Sequence, residues 1–269
     1  GTVSDEALLD DRRDNFLLAL HKSHGVYGFA LLNMASGDFF VFEVKTLEHA
    51  LSELARIQPA EFLFSDACEV DAFKTQVPHG KVQHASEFDL EHSLRVLNRQ
   101  FQTQNLNGFG CEQLSSAIEA AGFLLDYAKE TQRTALPHIR SLTHERLEDS
   151  VVLDAATRRN LEIDTNLTGG DKHTLMWVMD RTKTAMGSRL LRRWLNRPLN
   201  KQTVLEERQH AINALLHNYR FELFRDCLKP VGDMERILAR VALRSARPRD
   251  LSRLSQSLQV LPDMQQLCA

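Results

Sequence analysis

The hydrophobic positions change period near the middle of the chain. In the first half they fall into short β-rich runs, Phe16–His21, Val26–Leu32 and Asp38–Lys45, separated by His24-Gly25 and Ala35-Ser36-Gly37. Those turn residues between half-apolar runs predict a three-stranded antiparallel meander. Thr46–Ile57 then steps by three and four, with Leu47, Ala50, Leu51 and Leu54 on one helical face. Glu61–Phe64 reads as a strand, Ala72–Val77 as a short helix and Lys81–His84 as another strand. Ser86-Glu87-Phe88-Asp89 has the form of a capping box opening a helix to about Gln102. The predicted order is βββαβαβα.

Residues 111–134 carry the clearest helical stripe of this half: Leu114, Ala117, Ile118, Ala121, Leu124, Leu125 and Ala128. Phe123 and Tyr127 fall off that stripe, beside Glu119, Asp126 and Glu130. Either a second domain covers the two rings, or the five residues form a partner patch with an acidic rim. Residues 141–153 read as an extended crossover. Beyond them the pattern is helical, near 155–163, 173–180, 185–196, 201–217, 219–228, 233–245 and 248–261.

One helix stands out. In Thr184–Asn200 the face with Met186, Leu190 and Trp194 lies opposite Arg189, Arg192 and Arg193. Gly187 costs a helix about 1 kcal/mol against Ala, so it predicts a backbone passing close by. Trp194 is expected to bury its ring and the arginines to meet carboxylates, carbonyls or water. Arg236, Arg240 and Arg244 make a second basic ridge, with Asp233 and Glu235 in the first turn of that helix. Pro248 and Asp250 open the next one, where a proline and an anion both suit the first turn. Arg240 is suited to pairing with a buried carboxylate.

Charge separates the halves. Residues 1–150 hold 13 Lys+Arg against 23 Asp+Glu, and 151–269 hold 20 against 13. That asymmetry predicts two domains, 1–150 and 151–269, and makes the basic half the one that could approach phosphates. With 43% hydrophobic residues the chain can bury a core, yet no apolar run is long enough for a membrane span. Cys68, Cys111, Cys227 and Cys268 have no metal-ligand spacing and read as reduced thiols of a cytoplasmic protein. The start at Gly1 without Met suggests a piece excised from a longer chain.

Several kinds of chemistry lack their residues. Gly169-Gly170-Asp171-Lys172-His173-Thr174 places a lysine near glycines but without phosphate-loop spacing. His21, His24, His49 and His92 are scattered. The strand order of the first half suggests an RNase H-like fold, whose enzymes need carboxylates converging on metal ions. The first strand offers none, and Asp38 and Glu43 point to opposite faces of the third. No catalytic, cofactor-binding or metal-binding residue is therefore expected.

The wording of several blocks resembles the MutS family of DNA mismatch repair proteins, in its bacterial form. They are Asp154–Ile163, Thr184–Leu195, Pro198-Leu199, Gly232–Arg240 and Arg247–Leu251, with Tyr127–Gln132 and Leu136–Ile139. The resemblance runs through the whole chain in one order. It implies an RNase H-like, non-catalytic connector over 1–150, then the first part of a helical core and lever domain over 151–269. The fold class is thus α/β plus all-α. The family's mismatch-reading Phe-x-Glu, clamp and ATP-binding phosphate loop have no counterpart in these residues. ATP and Mg therefore belong to the parent protein and no catalytic residue carries over. Implied partners are MutL, the rest of the parent including its ATPase domain, and mismatched duplex DNA through that parent, a homodimer. Transmission between mismatch and ATPase ends, with MutL docking, is the expected role. Glu119, Phe123, Asp126, Tyr127 and Glu130 are the candidate MutL patch. Gly187, Trp194, Asp233, Glu235, Arg240, Pro248 and Asp250 are the candidate structural motif. The alternative is a DNA-binding module built on the basic half; a cryptic nuclease ranks below it.

Overall fold

The computed structural model describes residues 10–74, 81–85 and 88–268. They fall into two units. One holds 14–147 and 154–156; the other holds 10–13, 148–153 and the chain from 157 onward. The division expected at 150/151 lies inside the 148–153 segment.

The first unit is built on a sheet of order β5-β4-β1-β2-β3-β6. β1 (Phe16–Ser23), β2 (Val26–Asn33) and β3 (Phe39–Val44) form the antiparallel meander. β4 (Glu61–Ser65) runs parallel beside β1, and β5 (Lys81–Ala85) parallel beside β4. This is the mixed sheet of the RNase H-like expectation. β6 (Thr143–His144) adds two residues parallel to β3, inside the expected crossover. A strand that short has no alternation to announce it.

Strand alternation gives each face of the sheet its own cover. Leu18, Leu20, Phe29, Leu31, Phe42, Phe62 and Phe64 pack with Ala50 and Leu54 of α1 (Leu47–Ile57) and Phe73 of α2 (Val70–Lys74). Phe29 and Phe42 stack at 4.7 Å between ring centroids. On the other face α4 (Ser115–Gln132) lies across β1, β2 and β3, and α3 (Leu90–Phe101) packs on α4. Gly28 is what lets α4 approach: a Cβ there would sit 2.1 Å from the Ser116 carbonyl carbon. Gly122 does the same between helices, since its Cβ would lie 2.5 Å from the Cα of Ser93.

Helix ends refine the sequence reading. α4 starts at Ser115 rather than 111, because Cys111–Leu114 close a turn through Leu114 N–H to Cys111 O at 2.9 Å. Asp89 is itself the N-cap of α3, accepting from His92 N–H at 2.6 Å. Ser86 and Glu87 of the expected box lie outside the described residues, as do 75–77 of the short helix.

The second unit is helical. α5 (Ala155–Asn160) leads to α6 (Leu175–Met179), α7 (Ala185–Asn196), α8 (Gln202–Leu216), α9 (Arg220–Leu228) and α10 (Met234–Ala242). The helix expected at 248–261 is α11 (Pro248–Gln259), and α12 (Leu261–Cys268) follows it after Val260. Among the described residues, every exposed large hydrophobic lies between Val151 and Leu261.

Candidate functional site

The polar centre of the helical unit is built on α7. Thr184 caps the helix, its hydroxyl accepting from Gly187 N–H at 3.0 Å. The buried side of α7 is then the reverse of the expected one. Arg189 is 1% exposed, whereas Leu190 is 47% and Trp194 41% exposed. The reason lies on α10. Asp233 caps that helix, and Glu235 stands in its first turn. Arg189 forks onto both Asp233 oxygens at 2.6 and 2.8 Å and reaches Glu235 Oε2 at 2.6 Å. Its Nη1 also donates to the Asp11 carbonyl at 2.7 Å. A buried guanidinium loses several kcal/mol of hydration, and paired carboxylates with matching geometry are what offset it. Burial works to lower the Arg189 pKa, but the bonds from Asp233 and Glu235 outweigh it and raise it.

Neighbouring arginines are consumed in the same way. Arg236, also buried, donates to the Asp10 carbonyl at 3.2 Å and the Arg13 carbonyl at 2.9 Å. Arg192 meets Asp164 at 3.0 Å, and Asn196 donates to the same carboxylate at 3.0 Å. Arg158 binds the Asn196 carbonyl at 2.8 Å and the Leu153 carbonyl at 3.0 Å. Arg240 forks onto Asp250 at 2.8 and 3.2 Å. Pro248 opens α11, and Asp250 also accepts from Arg247 N–H at 2.9 Å. The Arg240 bond, with that backbone bond, holds the Asp250 carboxyl below its usual range. Asp180 accepts from Ser188 at 2.5 Å, Thr182 at 2.6 Å and Arg12 at 3.1 Å. Burial would raise the Asp180 pKa, yet the Ser188 and Thr182 bonds bring it below the ordinary value.

Both chain segments that lead into and out of the sheet unit are held in this network. Arg189 and Arg236 grip the carbonyls of 10–13. At the other, Val151 N–H donates to the Pro198 carbonyl at 2.8 Å, and Asn200 N–H to the Asp149 carbonyl at 3.0 Å.

Two motif residues do something other than expected. A Cβ on Gly187 would meet Thr184 Oγ1 at 3.0 Å and Thr182 Cβ at 3.4 Å, both side-chain atoms. The glycine makes room for its own cap: among the described residues the three atoms nearest to such a Cβ belong to the side chains of Thr184 and Thr182. Trp194 carries the Arg208 guanidinium over its ring at 3.6 Å instead of filling a core. Arg158, Asp164, Asp180 and the 10–13 segment went unnoticed in the sequence. Partners such as Ser188, Arg192, Asn196, Arg189 and Arg236 are 8 to 226 positions away, and no spacing rule links them.

The acidic patch on α4 is mostly engaged within its own unit. Tyr127 donates to the buried Glu61. Asp126 bonds His92 at 2.7 Å. Phe123 packs on Phe88 at 4.7 Å, and Phe88 stacks on His21 at 4.4 Å. Glu119 stands 3.3 Å from His21, whose pKa burial pushes down to about 4, so the ring is neutral near pH 7. Of the five residues only Glu130 is exposed; the other four are half-buried. Within the sheet unit, Phe88 lies against the half-buried Phe123 ring.

Glu43 faces α4 and accepts from Ala117 N–H at 3.2 Å. Among the described residues no group of three or more His, Cys, Asp and Glu could hold a metal ion. The glycine loop after α5 spends its amides on itself: Asn166 Oδ1 accepts from Thr168 N–H at 3.0 Å and Gly170 N–H at 2.8 Å. A phosphate would need those donors. Among the described residues no helix is long and apolar enough to cross a membrane.

Two family models match in tandem. MutS domain II covers residues 15–140, where the mixed sheet lies, and MutS domain III covers 156–269, where the helices lie. The chain belongs to the MutS family of DNA mismatch repair proteins.

Proposed function

We propose that this part of a mismatch repair protein is a non-catalytic coupler that transmits conformational change between regions that bind mismatched DNA and regions that bind ATP. The observation that carries the reading is the fastening of 10–13 and 148–153 onto the helical unit by buried arginines and backbone bonds. A coupler needs such an element, because two sites influence each other only through a shared arrangement that both bias. The exposed apolar faces of α6, α7, α8, α10 and α11 support a second part of the proposal: further helices of the parent core pack there. ATP with Mg, a homodimeric parent and a bacterial cytoplasmic setting complete it.

MutL docking belongs to the same proposal, with the sheet unit as the surface. Glu130 is the exposed residue of the patch, and Glu119, Phe123, Asp126 and Tyr127 are half-buried on the same helix. The alternative of a DNA-binding helical module is weakened by the geometry: Arg189, Arg192, Arg236 and Arg240 each face carboxylates or carbonyls. The test is binding of the chain to purified MutL, with Glu130→Lys as probe and a labelled duplex as control. Binding that Glu130→Lys weakens, with little duplex affinity at physiological salt, is expected. Strong, salt-sensitive duplex binding without MutL binding would overturn the reading.

A further inference from the structure

We infer that residues 10–13 are a releasable strap, which leaves and reseats on the α7–α10 surface without unfolding the helices beneath it. The inference goes beyond the coupling proposal and does not depend on any partner.

The strap is attached by three backbone carbonyls and two side-chain ion pairs. Its receptors are Arg189, which holds the Asp11 carbonyl, and Arg236, which holds those of Asp10 and Arg13. Asp10, Asp11 and Arg12 are exposed and Arg13 is half-buried, so the strap inserts no apolar anchor. Its side-chain ties, Arg12 to Asp180 at 3.1 Å and Arg13 to Asp171 at 3.7 Å, are ionic and partly exposed. Attachment of that kind is weak for each residue and sensitive to salt.

The receptor is also prepared for the strap's absence. Arg189 keeps both carboxylates when the strap leaves. Arg189 and Arg236 face Asp233 and Glu235, so two cations and two anions remain together. Opening therefore strips carbonyls from two arginines that keep a carboxylate, and takes Arg12 from Asp180, which keeps its bonds from Ser188 and Thr182. Arg236 depends on the strap more than Arg189 does, since its nearest carboxylate contact is a 3.6 Å approach to Asp233.

Hydrogen exchange of the full chain, read by mass spectrometry, tests this. The peptide spanning 10–15 is compared with the α10 peptide spanning 234–242. Arg12 N–H and Arg13 N–H bond to Asp10, within the strap, so fast exchange by itself reports no release, and the readout is the change in strap exchange relative to α10. Raising salt from about 0.05 to about 0.5 M is expected to accelerate the strap alone. Arg236→Gln is expected to accelerate it further, whereas Asp11→Asn, which leaves the carbonyl held by Arg189 in place, is not. Strap exchange that is the same at both salt levels, or that accelerates only together with that of α10, would overturn the inference, because the segment would then stay seated or open only with the whole helical unit. The wild-type salt series decides the matter even if Arg236→Gln fails to fold.

Discussion

The two units solve the problem of a stable interior in opposite ways. The sheet unit buries phenylalanines and leucines on both faces of its sheet and leaves no large hydrophobic side chain exposed among the described residues. The helical unit buries Arg189 and Arg236 and leaves Leu190, Trp194, Leu238 and Leu251 exposed. One interior is built mainly on non-directional apolar contacts, with Glu53 and Glu61 also buried; the other is centred on ion pairs and depends on geometry. A dry core tolerates the loss of one contact among many, whereas an ionic centre fails when one partner is removed and the others remain charged.

The largest effect is therefore expected at Arg189. Arg189→Ala leaves Asp233 and Glu235 with only the 3.6 Å approach of Arg236 to Asp233, a loss of about 3–5 kcal/mol. Urea unfolding followed by far-UV circular dichroism should show the helical signal lost in an earlier, separate transition. A single transition shifted as a whole would mean that the two interiors share one cooperative fold. The matched change in the sheet unit is Gly28→Ala. Its added methyl meets the backbone of α4, which cannot rotate aside as a side chain would, and about 3 kcal/mol is expected, from the sheet transition alone.

The same contrast explains what the sequence disclosed. Alternation and turn residues were enough for β1 to β5, α1 and the stripe of α4, because a dry core is written in apolar periodicity. Asp233, Pro248 and Asp250 were readable as helix starts, because capping is local. The buried side of α7 was not readable. Periodicity gives the two faces of a helix but not which one is inside, and the usual assumption fails where carboxylates from a distant helix line the interior. Arg189 and Asp233 are 44 positions apart, and nothing in either stretch names the other. On α4 the sequence marked Tyr127 and Asp126 as a patch, yet their partners Glu61 and His92 come from β4 and α3.

A smaller effect is expected at the start of α11. Asp250→Ala removes a backbone cap and the partner of Arg240 together, about 1–2 kcal/mol, from the helical transition. Asp250→Asn keeps an oxygen for Arg247 N–H and should recover part of it. Equal losses for both variants would assign the whole effect to the ion pair.

Acid sharpens the comparison from the other side. His21 has its folded pKa pushed down from 6.5 to about 4, by burial. Its contribution is full above the unfolded value and is lost as pH falls from about 6.5 to about 4. Glu43 and Glu119 oppose this, since burial raises their pKa and they favour the folded state as pH falls. His24 and Asp89 also act on Glu119. The difference between wild-type protein and His21→Gln isolates the histidine: the wild type's advantage should shrink across that window, in the sheet transition only. Asp180 and Asp250, with lowered pKa values, keep their contribution above the unfolded value of 3.8 and lose it only as pH falls below that. An unchanged difference between pH 7 and 4.5 would mean that His21 is protonated in the folded state.

The smallest change in stability is expected where the helical unit is apolar and open. Leu190→Gln and Trp177→Gln alter side chains 47% and 48% exposed, so each should move unfolding by no more than about 0.5 kcal/mol. Their effect should appear in association instead. Uncovered leucine and tryptophan faces bind apolar dyes and promote self-association, and the polar variants should reduce both, by fluorescence and by sedimentation. A large loss of stability would show that these faces are already covered within the chain. Unchanged stability with reduced association would leave them as surface that the ionic centre holds in place for other helices to cover.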